Sequence, residues 1–137
     1  MEQPWEFGLA IVRCQEASRR QSMSEVAVRE AASTAALDEE SYRIALAEAI
    51  VRHHSEGVAW SVAADVARGD KHVAKLRRVR DISVGVRDAL GQAVWRAGAD
   101  RKDAQRFADW SMRRELAEGG ASGSWTDGEL ASPGYRT

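Results

Sequence analysis

Proline is all but missing from this chain: it occurs only at Pro4 and Pro133, close to the two ends. The long interval between them is free of the residue that most strongly breaks a helix, because proline lacks a backbone donor and clashes with the preceding turn. Cysteine is equally scarce. The single thiol, Cys14, cannot close an internal disulfide, which excludes a small disulfide-stapled scaffold. No stretch approaches the ~20 consecutive apolar residues needed to cross a bilayer. The start, Met1-Glu2-Gln3-Pro4-Trp5-Glu6, has neither the basic opening nor the apolar run of a secretory leader. A reducing, cytoplasmic setting with no membrane partner is therefore expected.

What is present points to helix. Alanine, arginine and glutamate are abundant and β-branched runs are few. A length of 137 residues, 44% hydrophobic and 30% charged, suits one folded domain with a core and argues against wholesale disorder. The expected fold class is all-α: a helical bundle or helical hairpin with one long central helix at about 71–97 and a flexible C-terminal tail. Residues 1–118 would form the domain. Residues 119–137 would form the tail, opened by the linker-like Gly119-Gly120-Ala121-Ser122-Gly123-Ser124.

Punctuation residues divide the domain further. Ser22 with Glu25 fits a capping box, so a break or restart near Ser22 is expected within a first helical segment, Trp5 to Leu37. Upstream, Trp5, Leu9 and Val12 form one stripe; Met23, Val26, Glu30, Thr34 and Leu37 form another, made impure by Glu30. Asp38 can cap a second helix over about 39–55, whose Tyr42, Leu46, Ala49, Ile50 and His53 share a face. Gly57 ends it, and a short helix, Val58 to Arg68, is stopped by Gly69-Asp70. In the central helix Leu76, Val79, Ser83, Val86, Leu90, Ala93 and Ala97 alternate in steps of three and four, a shallow coiled-coil-like seam. Gly85 and Gly91 inside it each cost about 1 kcal/mol relative to alanine, which implies close approach of another backbone or a bend. Gly98-Ala99-Asp100 repeats the stop-and-cap pattern before a last helix over about 101–118, with Ala104, Phe107, Trp110 and Ala117 near one face.

Charge is sorted along the chain although the formal total is only −1. Residues 1–67 carry a net −5, residues 68–114 a net +7 and residues 115–137 a net −3. The basic segment can attract a polyanion or pair with the acidic ones. Its candidate phosphate contacts are Arg68, Lys71, Lys75, Arg77, Arg78 and Arg80, joined by Arg101, Lys102 and Arg106, with Trp95 or Trp110 as stacking platforms. Around the seam, Arg68, Lys71, Lys75 and Arg78 would lie on one flank, and Arg80 and Arg87 on the other. The competing expectation is that these cations pair with acidic side chains of the first helices.

Catalytic and metal signatures are missing. His53 and His54 are adjacent and point about 100° apart on a helix, so they do not share a metal easily. His53 is expected to edge the packing face and His54 to meet solvent. No HExxH or CxxC spacing, serine-nucleophile motif or phosphate-cradling loop occurs. Asp38, Glu39 and Glu40 look like a helix start, where the macrodipole favours negative charge. The expectation is a non-enzymatic chain with no cofactor, no metal and no evident small-molecule substrate. A helix-turn-helix across Asp65 to Leu76 is disfavoured, because its first helix is too short and its second runs far beyond a recognition helix. Trp60, Trp95 and Trp110 are expected to fill gaps between helices. Trp125 and Tyr135, beyond the linker, are candidate anchors for a protein partner or neighbouring subunit.

The layout over residues 42–114 resembles the small all-helical accessory proteins of tailed bacteriophages and prophages. A Tyr-led helix, Tyr42-Arg43-Ile44-Ala45-Leu46-Ala47-Glu48-Ala49, a Gly57 break and a long Arg-rich helix containing Leu76-Arg77-Arg78-Val79-Arg80-Asp81 carry that resemblance. It implies an assembly, packaging or host-inhibition role, in the host cytoplasm or in the virion, and no role for any particular residue. The function expected is that of a helical accessory protein acting by self-association, as a homo-oligomer, and by macromolecular binding. Nucleic-acid binding through the 68–114 surface is the alternative.

Overall fold

The computed structural model describes residues 6–122, with side chains placed as far as residue 119. Three helices account for it: α1 (Glu6–Ser55), α2 (Trp60–Arg68) and α3 (Lys71–Ser122). The fold class is all-α, as expected, and α1 and α3 pack along their length as an antiparallel hairpin closed at one end by α2. At 1.5 Å rise per residue each long helix spans about 75 Å.

Several expected breaks are not there. α1 runs without interruption through Ser22 and Asp38. The Ser24 hydroxyl hydrogen-bonds instead to the Arg20 carbonyl at 2.8 Å, one turn back along the same helix. Asp38 sits mid-helix, where its carboxylate accepts a hydrogen bond from Ser83 on α3. α3 likewise continues through Gly98-Ala99-Asp100 and through Gly119 and Gly120 to Ser122, so the central helix is about twice as long as expected. An interior glycine costs about 1 kcal/mol relative to alanine, too little to break a helix held against a partner. A Cβ added at Gly85 or Gly91 would meet nothing within 4 Å, so neither glycine marks a close backbone approach.

The expected stops at Gly57 and Gly69-Asp70 do occur. Gly57 has φ +101°, with its N–H bonded to the His54 carbonyl and the Val58 N–H to the His53 carbonyl. That pair of bonds is the Schellman closure of a helix C-terminus, which requires the left-handed conformation glycine adopts without strain. Asp70 opens α3 but turns its carboxylate across the loop, taking hydrogen bonds from Arg52 and, at 3.0 Å, from His53.

The packing seam is a pair of heptad ladders. On α1 the inward positions run Phe7, Ala10, Cys14, Ala17, Gln21 and Ser24, then Val28, Ala31, Ala35, Asp38, Tyr42, Ala45 and Ala49. On α3 they run Val73, Leu76, Arg80, Ser83, Arg87 and Leu90, then Val94, Ala97, Ala104, Ala108 and Ser111. The expected seam shared Leu76, Ser83, Leu90 and Ala97 but placed Val79, Val86 and Ala93 where the structure has Arg80, Arg87 and Val94. Val79 and Val86 are exposed. The two sets differ by one residue at alternate steps, and apolarity alone selected the wrong one.

Small side chains dominate the interior. Eight of the eleven buried described residues are alanine, and none with a large side chain is fully buried. The best-filled region is the closed end, where Tyr42, Ala45, Ala49, Ala67 and Val73 cluster with Leu46, Ile50 and Leu76 against them. The expected packing face of 42–53 is this cluster's α1 side.

Candidate interaction surfaces

Alanine ladders exclude little apolar area, so the larger apolar side chains must lie elsewhere, and most face outward. On α1, Leu9, Val12, Met23, Val26, Leu37 and Ile44 are exposed and fall at two outer heptad positions, together with Val51. The stripes expected around Leu9 and Met23 are thus real periodicities, but they form an outer face and not the core. On α3, Val79, Ile82, Val86 and Trp110 are exposed too, each next to or two places beyond an inward position, with half-buried Phe107 beside them. The two outer stripes share one side of the hairpin. Leu9 and Phe107 line a common hollow with Glu6 and Arg13, and Met23 lines another with Ala93, Arg96 and Asp100.

The tryptophans do not fill gaps between helices. Trp60, Trp95 and Trp110 are 59%, 84% and 51% exposed. A two-helix hairpin with alanine between its members has no interior wide enough for an indole. Trp60 stacks on His54 with ring centroids 3.6 Å apart, and Trp110 packs on Phe107 at 5.8 Å. His54 is therefore half-covered, with Nδ1 3.0 Å from the Val58 carbonyl, and does not simply face solvent. Trp125 and Tyr135 lie outside the described residues.

The candidate phosphate contacts separate into two groups. Arg68 pairs with Asp65 at 2.7 Å, Arg77 reaches Asp81 at 4.0 Å and Arg106 reaches Asp103 at 3.5 Å, all within their own helices. Arg80 contacts Asp81 at 2.6 Å and crosses to Glu39 of α1 at 3.4 Å. Lys71, Lys75, Arg78, Arg101 and Lys102 are exposed, and none of them forms an ion pair within 4 Å among the described residues. Pairing with acidic side chains of α1 therefore accounts for Arg80, and for Arg114 with Glu6 at 3.9 Å. It does not account for the basic end around Lys71, Lys75 and Arg78.

Arg80 and Arg87 correct a second expectation. Neither flanks the seam; both occupy inward positions, and Arg80 lays its guanidinium 4.5 Å from the centroid of the Tyr42 ring. The hydrogen bond to Asp81, with the nearby charges of Asp81 and Glu39, raises the Arg80 pKa above its ordinary value. On α1, a hydrogen bond from Arg43 at 2.7 Å, with the charge of Arg80 behind it, holds the Glu39 carboxyl below the usual carboxylate range. Sequence reading missed Tyr42, Glu39 and Arg80 as a cluster. The signal available was the heptad phase of Tyr42, which an arginine at an inward position of α3 completes.

Among the described residues, no group of three or more His, Cys, Asp and Glu side chains could hold a metal ion. No described helix is long and apolar enough to cross a membrane. No protein-family model matches the chain, and neither a curated protein nor a solved structure matches it.

Proposed function

We propose that this chain is a non-catalytic helical accessory protein that works by self-association and by binding a macromolecule, in an assembly role of the kind found in phages and mobile elements. The observation that carries the reading is the outer apolar face. A hairpin whose buried residues are mostly alanine leaves Leu9, Met23, Leu37, Ile44 and Val79 in water, and large contiguous apolar patches on soluble chains mark interaction sites. The phage context rests on the layout of residues 42–114 alone. Sedimentation equilibrium of the full chain from 1 to ~100 µM, a range bracketing typical weak-to-moderate dimer affinities, tests the reading. A mass that rises with concentration supports it. A monomer throughout counts against self-association.

A second reading, nucleic-acid binding, is favoured by the unpaired cations at the closed end. Binding of labelled single- and double-stranded oligonucleotides across a salt series tests it, since each phosphate contact contributes about −0.9 to the log–log slope on duplex DNA. Reversing Lys71, Lys75 and Arg78 to glutamate should abolish such binding and leave helicity intact. No binding at low salt would remove this reading.

A further inference from the structure

The outer apolar face is banded along its length. The cross-helix contacts Tyr42 to Arg80, Asp38 to Ser83 and Glu6 to Arg114 fix which residues of α1 and α3 stand at the same height. In that register Leu37 and Ile44 stand level with Val79, Ile82 and Val86, near the closed end. Leu9 and Val12 stand level with Phe107 and Trp110, near the open end. Between the two apolar bands lies a mixed zone in which exposed Met23 and Val26 on α1 alternate with Glu16, Arg19 and Glu30, beside Arg96, Asp100 and Asp103 on α3.

We propose that the occupant of this face is a second copy of the chain, turned about a two-fold axis parallel to the helices, so that α1 of each hairpin lies over α3 of the other and the two closed ends come together. The inference rests on the self-association reading and gives it a geometry. Three observations support it. Rotation about the long axis preserves height, so each apolar band meets an apolar band and the mixed zones meet each other. Within those zones Arg19 comes level with Asp100 and Asp103 of the other copy, opposite in sign, and Glu30 lies about one and a half helical turns from Arg96, which outweighs the single like-charge approach of Glu16 to Asp103. The whole helices also complement one another: α1 has eight acidic and six basic side chains, whereas α3 has seven acidic and twelve basic. A two-fold axis across the helices would instead set α1 against α1, each net acidic, with the height of the bands reversed.

The area is sufficient. About ten half-exposed apolar side chains, each leaving roughly 60–100 Å², offer roughly 600–1,000 Å² on each copy, close to the ~800 Å² per partner of a standard stable interface. The result is a four-helix bundle in which the alanine ladders form the seams within each hairpin and the larger side chains form the seam between hairpins. The two sets of Lys71, Lys75 and Arg78 then share one end of the bundle.

The test is a spin-label distance on the full chain carrying Cys14→Ala and Ser61→Cys, with one label per copy near the closed end, read alongside sedimentation equilibrium. Dimeric mass with a label separation below about 40 Å is expected. Dimeric mass with labels separated by about the length of the helices, ~75 Å, would overturn the arrangement and leave self-association standing. A monomer, or a trimer or larger species, would overturn it as well. Ile44→Glu, on an exposed position, should weaken the dimer at least tenfold with helicity unchanged. A fully helical Ile44→Glu dimer of unaltered affinity would show that this face is not the interface.

Discussion

Arg80 of α3 lies over the ring of Tyr42 of α1 at 4.5 Å from its centroid and reaches Glu39, one helical turn away from the ring's neighbour Arg43, at 3.4 Å. One cation thus joins the largest buried side chain of the hairpin to an acidic cluster on the same helix. Tyr42 is 7% exposed and belongs to the best-packed part of the core. Tyr42→Ala should destabilise the chain by about 3 kcal/mol, in the range of buried aromatic truncations. Arg80→Met keeps most of the stem's packing and loses the cation–π contact, so about 1 kcal/mol is expected. Urea unfolding followed by circular dichroism checks both, and a larger loss for Arg80→Met than for Tyr42→Ala would contradict the packing order.

Acid should weaken the same cluster. The Glu39 carboxyl, held below its ordinary value by the Arg43 hydrogen bond, favours the folded state when ionised. A lowered folded-state pKa contributes stability that is present above the unfolded value, about 4.5, and is lost as pH falls through the folded value. The stability difference between wild type and Glu39→Gln should therefore be constant near neutrality and shrink between pH 5 and pH 3, the window around a carboxylate's ordinary range. A difference that stayed flat across that window would remove the role given to Arg43.

The glycines of the hairpin should respond with opposite signs. Gly85 and Gly91 have open space where a Cβ would go and lie within a regular helix. Alanine at either should raise stability by about 0.5–1 kcal/mol. Gly57, at φ +101°, also has open space, but the backbone conformation itself is unfavourable for an L side chain. Gly57→Ala should cost about 1 kcal/mol. Melting temperatures of the three single variants suffice to compare them.

Ser111 is the buried hydroxyl to replace. It is 3% exposed, and its Oγ has no hydrogen-bond partner. An unsatisfied buried polar atom carries a desolvation cost of about 1–3 kcal/mol. Ser111→Ala, which also matches the alanines on either side of the seam, should stabilise the hairpin by about 1 kcal/mol. A destabilised variant would mean that the hydroxyl has a partner in solution.

Fold class was legible in the sequence because proline absence and alanine richness act on every turn of a helix, whatever its neighbours. The ends at Gly57 and near Gly69-Asp70 were legible for a related reason: a left-handed cap and a loop-spanning carboxylate are local requirements. The continuity of α1 and α3 was not. Ser22, Asp38 and Gly98 carry stop signals that a packed partner helix overrides, and that partner is remote in sequence. The seam was misread at Val79 and Val86 because apolar side chains were assumed to face inward. In a hairpin built on alanine, with Arg80 and Arg87 at inward positions of α3 and Arg80 bridging to α1, they face outward. Of the basic residues, only the structure separates Lys71, Lys75 and Arg78 from Arg68, Arg77 and Arg106, whose partners sit a turn away on their own helices.

The alanine ladders also have a mechanical consequence. A row of small teeth repeated every seven residues looks much the same after one helix slides past the other by a single heptad, about 10 Å of travel. Over most of the hairpin little distinguishes one meshing from the next. Of the pins that do distinguish them, Tyr42 under Arg80 and Asp38 against Ser83 sit toward the closed end, and the longer, half-exposed pair of Glu6 with Arg114 sits at the open one. The closed end is thus the main detent of the rack, and the open end has the weaker catch.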